Sequence, residues 1–147
     1  MSSTFSFRPA EAADRAALTA LLREVNLHYW GDTPGAAEKA AGTADALLGD
    51  GSGCDAVLAW DGERAVGFAT ITLLHPAPNA QGTLFMKDLF VTREMRGSGL
   101  GRAFLRHLAA HAARLGCARF DWTAETDNPE AMRFYEAFGA EVVREKV

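Results

Sequence analysis

Cysteine is scarce in this sequence, with only Cys54 and Cys117 among 147 residues and no histidine at metal-ligand spacing from either. Disulfide scaffolds and zinc sites need several cysteines at short intervals, so neither framework nor any metal ion is expected. Two isolated thiols are typical of a reduced, intracellular protein. Because Met1 to Arg8 also lacks a basic stretch followed by an apolar one, we expect a cytoplasmic protein without a secretion signal.

Long apolar runs and an excess of basic charge are also missing. Thr70, Thr72 and Lys87 interrupt the longest apolar stretches, which are too short to span a bilayer. The net charge is −4 at pH 7, whereas a general nucleic-acid binder needs a basic face to neutralise phosphates. Neither a membrane nor a nucleic acid is therefore expected as a partner, and the acidic balance mildly favours a cationic ligand such as an amine.

Apolar spacing and turn residues predict a single domain, residues 1–147, with the element order β-α-α-β-β-β-α-β-α-β. The predicted strands are Phe5–Arg8, Ala56–Trp60, Ala65–Leu74, Thr83–Val91, Arg119–Thr123 and Ala140–Val147. The predicted helices contain Leu18 to Val25, run from a Thr33-Pro34 start to Leu48, cover Leu100–Leu115 and extend from Pro129 up to Gly139. Three hairpin-connected strands before a helical crossover predict a mixed sheet of the α+β type. The charges near the first helix, Glu11, Asp14, Arg15 and Glu24, are interpreted as solvated.

A basic residue and three glycines lie between a predicted strand and a predicted helix, in Arg96-Gly97-Ser98-Gly99-Leu100-Gly101. Glycine lacks a Cβ, so it accepts left-handed backbone dihedrals and lets a phosphate approach the backbone N–H groups. The following helix adds its own unpaired N–H groups and the positive end of its dipole. This stretch, called the glycine loop below, therefore predicts a phosphate or pyrophosphate site.

Two common nucleotide motifs do not fit the glycine loop. A nucleoside-triphosphate loop needs a lysine and then a serine or threonine after its last glycine, but Arg102 and Ala103 follow Gly101. A dinucleotide fingerprint needs glycines at its first, third and sixth positions, and the sixth position counted from Gly97 is Arg102. Neither a nucleotide-hydrolysing loop nor a Rossmann unit is therefore predicted.

Two stretches together resemble one family. The pattern Arg96-x-x-Gly99-x-Gly101, after a strand that ends at Val91, resembles the acyl-CoA-binding signature of the N-acetyltransferases of the GNAT superfamily. Asn128–Ala140 resembles the N-x-x-A-x-x-F/L-Y-x-x-x-G-F/A segment of the same family. The resemblance covers roughly residues 5–145. It implies the GNAT fold, in which helices flank a mixed, mostly antiparallel sheet and the acyl-CoA cleft lies between the fourth and fifth strands.

The resemblance also implies an activity, the direct transfer of the acetyl group of acetyl-CoA to a primary amine of a small molecule in a ternary complex. The implied cofactor-binding residues are Leu89, Phe90, Val91, Arg96, Gly97, Ser98, Gly99, Leu100, Gly101, Arg102 and Asn128, and a backbone N–H near Leu89 or Phe90 would polarise the thioester. Tyr135 would donate its phenolic proton to the leaving sulfur. The residues alone leave three alternatives open: Tyr135 as a core aromatic, Arg96 in a surface salt bridge and Asn128 as a helix cap.

The acceptor side is less defined. In polyamine acetylators of this family a glutamate stands where this chain has Lys87, so the resemblance disfavours a polyamine and suits an amine that carries a carboxylate, such as an amino acid. Lys87 has the alternative interpretation of a solvated strand residue. The candidate bases are Asp88, Glu125 and His75. Tyr29 and Trp30, between the first two helices, are candidates for the substrate wall through cation–π contact, or for a hydrophobic staple.

Two other functions use the same motifs. A protein or peptide N-acetyltransferase would perform this chemistry on an open groove, and a non-catalytic acyl-CoA sensor would keep the glycine loop without turnover. Most family members end with two strands after the last helix, whereas eight residues follow Gly139. Because an unpaired sheet edge is a liability, we expect a homodimer in which a partner completes the sheet, unless the last strand is absent.

Overall fold

The computed structural model describes residues 4–144, which contain a five-stranded sheet with helices on both of its faces. The strands are β1 (Ser6–Pro9), β2 (Asp55–Asp61), β3 (Arg64–Leu74), β4 (Gly82–Val91) and β5 (Cys117–Trp122). The helices are α1 (Arg15–Trp30), α2 (Ala36–Leu48), α3 (Leu100–Arg114) and α4 (Pro129–Phe138). The predicted order of elements is confirmed from the first strand to the fourth helix.

The sheet follows the order of the chain, β1-β2-β3-β4-β5. β1 to β4 are antiparallel neighbours, whereas β5 pairs with β4 in parallel after the α3 crossover. The predicted hairpin joins β2 to β3 with Asp61 opposite Arg64, and Gly62 adopts φ +61° in its turn. The mixed, mostly antiparallel sheet is thus confirmed. None of the helices within residues 4–144 is long and apolar enough to cross a bilayer.

Each face of the sheet has its own apolar core. On one face, buried residues of α1 and α2 form a cluster with the sheet that includes Leu18, Leu21, Leu22, Leu58, Phe68 and Phe90. On the other face, α3 forms a second cluster that includes Val66, Ile71, Leu84, Phe104, Leu105 and Leu108. β3 contributes to both clusters, and a strand covered on both faces needs apolar residues in succession rather than in alternation.

The predicted strand Ala140–Val147 is not formed over residues 140–144, and residues 145–147 lie outside the described part. Gly139 adopts φ +109° and ends α4, and Ala140 N–H bonds back to the Tyr135 carbonyl at 3.0 Å. A groove of about 740 Å³ lies between β5 and the residues that follow. Valines favour strands, but a strand also needs a hydrogen-bonding neighbour. The homodimer stays a prediction.

Two smaller differences concern helix ends. α2 begins at Ala36 rather than at Pro34, because Ala36 N–H donates to the Thr33 carbonyl at 3.2 Å in a turn and Gly35 adopts φ +78° before the first helical residue. Leu115, the last residue of the predicted third helix, is 46% exposed. α3 ends one residue earlier, so Leu115 lies beyond the last turn that packs on the sheet.

Asp14 is buried before α1, and its prediction as a solvated charge is wrong. Its Oδ2 and Oδ1 accept hydrogen bonds from Nη1 and Nη2 of Arg8 at 2.7 and 3.0 Å, and Oδ2 also accepts from Glu11 N–H at 2.8 Å. The Arg8 guanidinium lies 4.5 Å from the centroid of the Trp60 ring. The hydrogen bonds from Arg8 are the main cause that lowers the pKa of Asp14 from its ordinary value.

The Arg8–Asp14 pair should make stability depend on pH in acid. A carboxyl whose pKa is lowered on folding contributes stability that is complete above the unfolded pKa, about 3.9, and is lost as the pH falls through the lowered folded value. In denaturant titrations, the free energy of unfolding of the native protein is expected to decrease as the pH falls below about 4. The Asp14→Asn variant should have a lower free energy of unfolding at neutral pH and lose less of it in acid.

The matched control for that experiment is Asp45→Asn. The Arg15–Asp45 pair has comparable geometry, with Nε and Oδ1 2.6 Å apart, but both side chains are more than half exposed. Solvent screens such a pair and leaves it a small contribution. Asp45→Asn should therefore follow the native pH profile closely. If Asp14→Asn followed that profile equally closely, the stabilising role of the Arg8–Asp14 pair would be wrong.

Candidate functional site

β4 and β5 pair over only the first half of β4. The pairs run from Gly82 with Cys117 to Met86 with Trp122, where β5 ends. β4 continues to Val91 beside a space that we call the β4–β5 gap. The cleft expected between the fourth and fifth strands corresponds to this gap.

Backbone groups of β4 face the gap at alternate residues. Thr92 N–H donates to the Val66 carbonyl at 2.9 Å, and β4 stays in register with β3 from there back to the middle of the strand. In an antiparallel pair, residues that exchange hydrogen bonds alternate with residues whose N–H and C=O point away. Leu89 and Val91 therefore direct their backbone groups into the gap. Phe90, the third residue predicted here, directs its backbone towards β3 and buries its side chain on the α1 face.

A β-bulge in β4 coincides with the start of the gap. Thr70 and Ile71 are consecutive in β3, but their partners are Asp88 and Met86, so Lys87 is an extra residue in β4. A bulge bends its strand and redirects the neighbouring side chains. Lys87 and Asp88 are both exposed in the middle of an interior strand as a result.

The three positions of the glycine loop require glycine for different structural reasons. Gly97 and Gly99 adopt φ +80° and +88°, left-handed values that other residues adopt only under strain. Gly101 lies inside α3 with an ordinary φ, and a Cβ added there would lie 3.2 Å from Cζ of Phe134. The third glycine therefore lets α4 approach α3 closely, a contact that the sequence did not indicate.

Four backbone N–H groups of this region have no acceptor within residues 4–144. They belong to Gly97, Gly99, Gly101 and Arg102. The other N–H groups are used internally, as in the bond from Ser98 N–H to the Met95 carbonyl at 3.2 Å and that from Leu100 N–H to Ser98 Oγ at 3.3 Å. Arg96 is exposed and forms no ion pair within the same residues, so the structure gives no support to its surface salt-bridge alternative. Such an arrangement at the start of a helix suits an anion.

Glu24 connects α1 to the chain leading into the glycine loop, and its prediction as a solvated charge is wrong. Its Oε1 accepts from Thr92 Oγ1 at 2.8 Å and from Arg93 N–H at 3.2 Å. Thr92 is buried, so these bonds satisfy a hydroxyl that water does not reach. The contact joins residues 68 positions apart, which no local pattern could have indicated.

Asn128 caps α4, and Tyr135 lies within that helix, with its ring against Trp122 at the end of β5. Asn128 Oδ1 accepts from Ala131 N–H at 3.1 Å, which confirms the helix-cap interpretation. The half-buried Tyr135 ring lies 5.3 Å from that of Trp122 and 5.4 Å from that of Phe134, between centroids. Tyr135 packs against the same core as Leu89, while its hydroxyl has no hydrogen-bond partner among the described residues.

The Tyr135 phenol is held in its protonated form. Burial is the main cause that raises the pKa of Tyr135 above its ordinary value, and the nearby Tyr29 raises it further. Tyr29 and Trp30, at the end of α1, are 69% and 71% exposed. Side chains this exposed do not form a closed hydrophobic staple, and their place on a substrate wall stays a prediction.

A second cavity, of about 480 Å³, lies between α2 and the middle of β3 and β4. We call it the α2-side cavity. Its charged lining residues are Lys39, Lys87 and Asp88. Thr70 Oγ1 donates to Asp88 Oδ2 at 2.6 Å, and Lys87 Nζ lies 3.5 Å from the same oxygen.

The other candidate bases are placed differently. Glu125 is exposed in the connection between β5 and α4, where its carbonyl accepts from Asn128 N–H at 3.3 Å. His75 lies beside Gly82, at the beginning of β4, about 17 Å along the strand from Lys87. His75 is therefore not part of the site, whereas Asp88 borders the gap directly.

The chain is similar in sequence to parts of several known acetyltransferases. The L-ornithine N5-acetyltransferase NATA1 of Arabidopsis thaliana is 32% identical over 79 residues, 54% of this chain and 35% of that protein. A probable spermine N(1)-acetyltransferase of Bacillus subtilis subsp. natto is 32% identical over 77 residues, 50% of this chain and 51% of that protein. The chain thus spans about half or less of the length of the curated relatives that it matches.

A solved structure and a family model cover much more of the chain. An integron cassette protein from the mobile metagenome of V. cholerae is 34% identical with a TM-score of 0.89, and the match covers 100% of this chain and 90% of that one. The model of the acetyltransferase (GNAT) family matches residues 16–140, a span that contains the β4–β5 gap, the glycine loop and Tyr135. The chain therefore belongs to the acetyltransferase (GNAT) family.

Proposed function

We propose that this protein transfers the acetyl group of acetyl-CoA to a primary amine of a small molecule. The observation that carries the proposal is a convergence at one end of β4. Leu89 and Val91 direct backbone groups into the gap there, the glycine loop with its N–H groups unpartnered among the described residues follows there in the chain, and the Tyr135 ring packs on Trp122, where β5 leaves β4. Family membership supports acetyl transfer, and the ornithine and spermine in the names of the relatives support small amines as acceptors.

The glycine loop and the first turn of α3 fit the pyrophosphate of coenzyme A. Four N–H groups that find no acceptor in the described part of the chain, together with the positive end of the α3 dipole, favour the same bound anion. The gap-facing backbone of Leu89 and Val91 would hold the pantetheine arm, and the side-chain NH₂ of Asn128 is available to it because the cap uses only Oδ1. When bound, acetyl-CoA supplies the activated acetyl thioester.

Acetyl transfer needs a polarised carbonyl, a neutral amine and a stabilised leaving group. In our proposal the Leu89 N–H polarises the carbonyl oxygen, and the amine nitrogen forms the new C–N bond while the C–S bond breaks. Tyr135 donates its phenolic proton to the departing sulfur and regains one from solvent. Asp88 takes one proton from the bound ammonium, directly or through water, to give the neutral amine, and releases that proton to solvent. The second proton, which the nitrogen loses as the C–N bond forms, passes to solvent by the same route.

A thiol-release assay tests the proposal and separates it from its two rivals. Purified protein is given acetyl-CoA together with polyamines, amino acids, aminoglycosides or peptides, and the acetylated amine is quantified by mass spectrometry. The proposed function expects free thiol and acetylated small amine in equal amounts. Preferential turnover of peptides would favour a protein or peptide N-acetyltransferase. Acetyl-CoA binding without thiol release across the panel would favour a non-catalytic sensor.

A further inference from the structure

The α2-side cavity points to one class of acceptor. We propose that the acceptor is an amine that also carries a carboxylate, with Lys39 and Lys87 binding the carboxylate and Asp88 binding the amino group. This assignment rests on the proposed transfer of an acetyl group to a small amine, and it names the class of that amine as amino-acid-like.

The bulge in β4 places two adjacent charges in the same cavity. Successive side chains of a regular strand point to opposite faces of the sheet, so Lys87 and Asp88 would ordinarily be separated. Because Lys87 is the extra residue of the bulge, both side chains line the α2-side cavity. The same bulge lies where β5 leaves β4, so the cavity borders the β4–β5 gap. Asp88 directly precedes Leu89 in β4, so an amine held on Asp88 lies one residue from the N–H that polarises the carbonyl in the proposed function.

Asp88 is oriented and still has an unused acceptor. Thr70 Oγ1 donates to Oδ2 at 2.6 Å, and the Lys87 ammonium approaches that same oxygen at 3.5 Å. Oδ1 has no partner among the described residues, and a carboxylate oxygen accepts readily from an ammonium group. The long contact to Lys87 leaves most of the donor capacity of that lysine available to a ligand.

α2 contributes the second cation to the cavity. Lys39 shares a helix face with Gly42, Thr43 and Ala46, which line the cavity with it at helical spacing. Lys39 forms no ion pair within residues 4–144. Gly42 adds no side chain, and a Cβ built there meets nothing within 4 Å. The space in front of Lys39 therefore stays open.

The charges of this lining distinguish two kinds of amine. A lining with two lysines and one carboxylate disfavours binding of a polyamine, because the second ammonium group of the polyamine would lie near a lysine of the same charge. An amine with a carboxylate satisfies all three side chains, with its anion between Lys39 and Lys87 and its ammonium on Asp88. A volume of about 480 Å³ is within the range of small-molecule sites.

The test compares amino acids with their decarboxylated counterparts. Ornithine and putrescine, lysine and cadaverine, and phenylalanine and phenethylamine form pairs that differ only in the carboxylate. For the best-used pair, kcat/KM measured by thiol release is expected to be at least tenfold higher for the amino acid. Calorimetry with the protein saturated with CoA measures the affinity for each member of a pair independently of turnover.

Charge-reversal variants assign the effect to the cavity. Lys39→Glu and Lys87→Glu are each expected to lower the ratio of amino-acid to amine kcat/KM at least tenfold, chiefly through KM. Arg106→Glu is the matched control, because Arg106 is exposed on α3, on the opposite face of the sheet, and should leave the ratio within twofold. Gly42→Leu should raise the KM for the acceptor without lowering thermal stability, because leucine is the better helix former and here fills open space.

The outcomes separate this assignment from the proposed function. If amines are acetylated but the decarboxylated member is used equally well, or the ratio survives both lysine variants, the carboxylate assignment is overturned and acetyl transfer stands. If the amino acid binds at least tenfold more tightly through Lys39 and Lys87 but no thiol is released, the cavity assignment stands and the proposed function fails. If no member of any pair binds or reacts, the assignment is overturned.

Discussion

Tyr135→Phe is expected to lower turnover by about 100-fold or more while the Kd for acetyl-CoA stays within twofold, because general-acid assistance contributes about 10²–10⁴-fold. The substitution removes only the hydroxyl, and the ring keeps its neighbours Trp122 and Phe134. Thermal unfolding should change little, since the hydroxyl bonds to no other group among the described residues. Steady-state thiol release and a calorimetric titration with acetyl-CoA measure the two effects separately.

The other tyrosine of the chain is the matched control. Tyr29→Phe removes the same atom from a residue near Tyr135 but leaves the proposed acid in place, so turnover should fall less than tenfold. The dependence of turnover on pH checks the proposed role of Tyr135 as the acid a second time. Because burial raises the pKa of Tyr135, the phenol should stay protonated until the pH passes about 10. Native turnover in the Tyr135→Phe variant would assign this residue to core packing alone.

The sequence predicted those parts of the molecule that follow from local patterns. The 3.6-residue spacing of α1, with Leu18, Leu21 and Leu22 on one face, was sufficient to place that helix in the core. Turn chemistry located the β2–β3 hairpin, and Asn128-Pro129 located the start of α4. The glycine loop was predictable for the same reason, since left-handed dihedrals at Gly97 and Gly99 require glycine within a short stretch of chain.

Features that depend on contacts between distant residues were not predictable in this way. The bulge at Lys87 depends on the register of β4 against β3, to which the sequence of β4 alone gives no clue. Gly101 has a helical φ and is explained only by Phe134, which packs against it from another helix. The strand predicted after Gly139 failed because strand propensity without a neighbour does not form a sheet. Local patterns therefore predicted the elements that carry the candidate site, whereas the directions of its side chains depend on contacts between elements.

Gly99→Val is expected to weaken acetyl-CoA binding at least about tenfold, because a non-glycine residue in the left-handed region costs roughly 1–2 kcal/mol and the loop shifts to relieve that strain. Gly99 adopts φ +88° as the N-cap of α3, so the shift displaces the N–H groups of Gly101 and Arg102. A Cβ at position 99 meets no atom within 4 Å. The variant should therefore fold without a clash, and its side chain projects into the space in front of the loop. Equilibrium titration with acetyl-CoA measures the loss.

Gly116→Val makes that experiment specific to the site. Gly116 follows the other end of α3 with φ +76°, and a Cβ there also meets nothing within 4 Å, so the backbone strain and the free space match those at Gly99. The two variants should lose similar free energies of unfolding in denaturant titrations, and only Gly99→Val should lose affinity for acetyl-CoA. Equal affinities in the two variants would contradict the assignment of the glycine loop, because general destabilisation would then account for any effect. If only Gly99→Val loses affinity for acetyl-CoA, the phosphate site lies at the start of α3, because the two variants share the same backbone strain and the same free space and differ in which end of the helix they change.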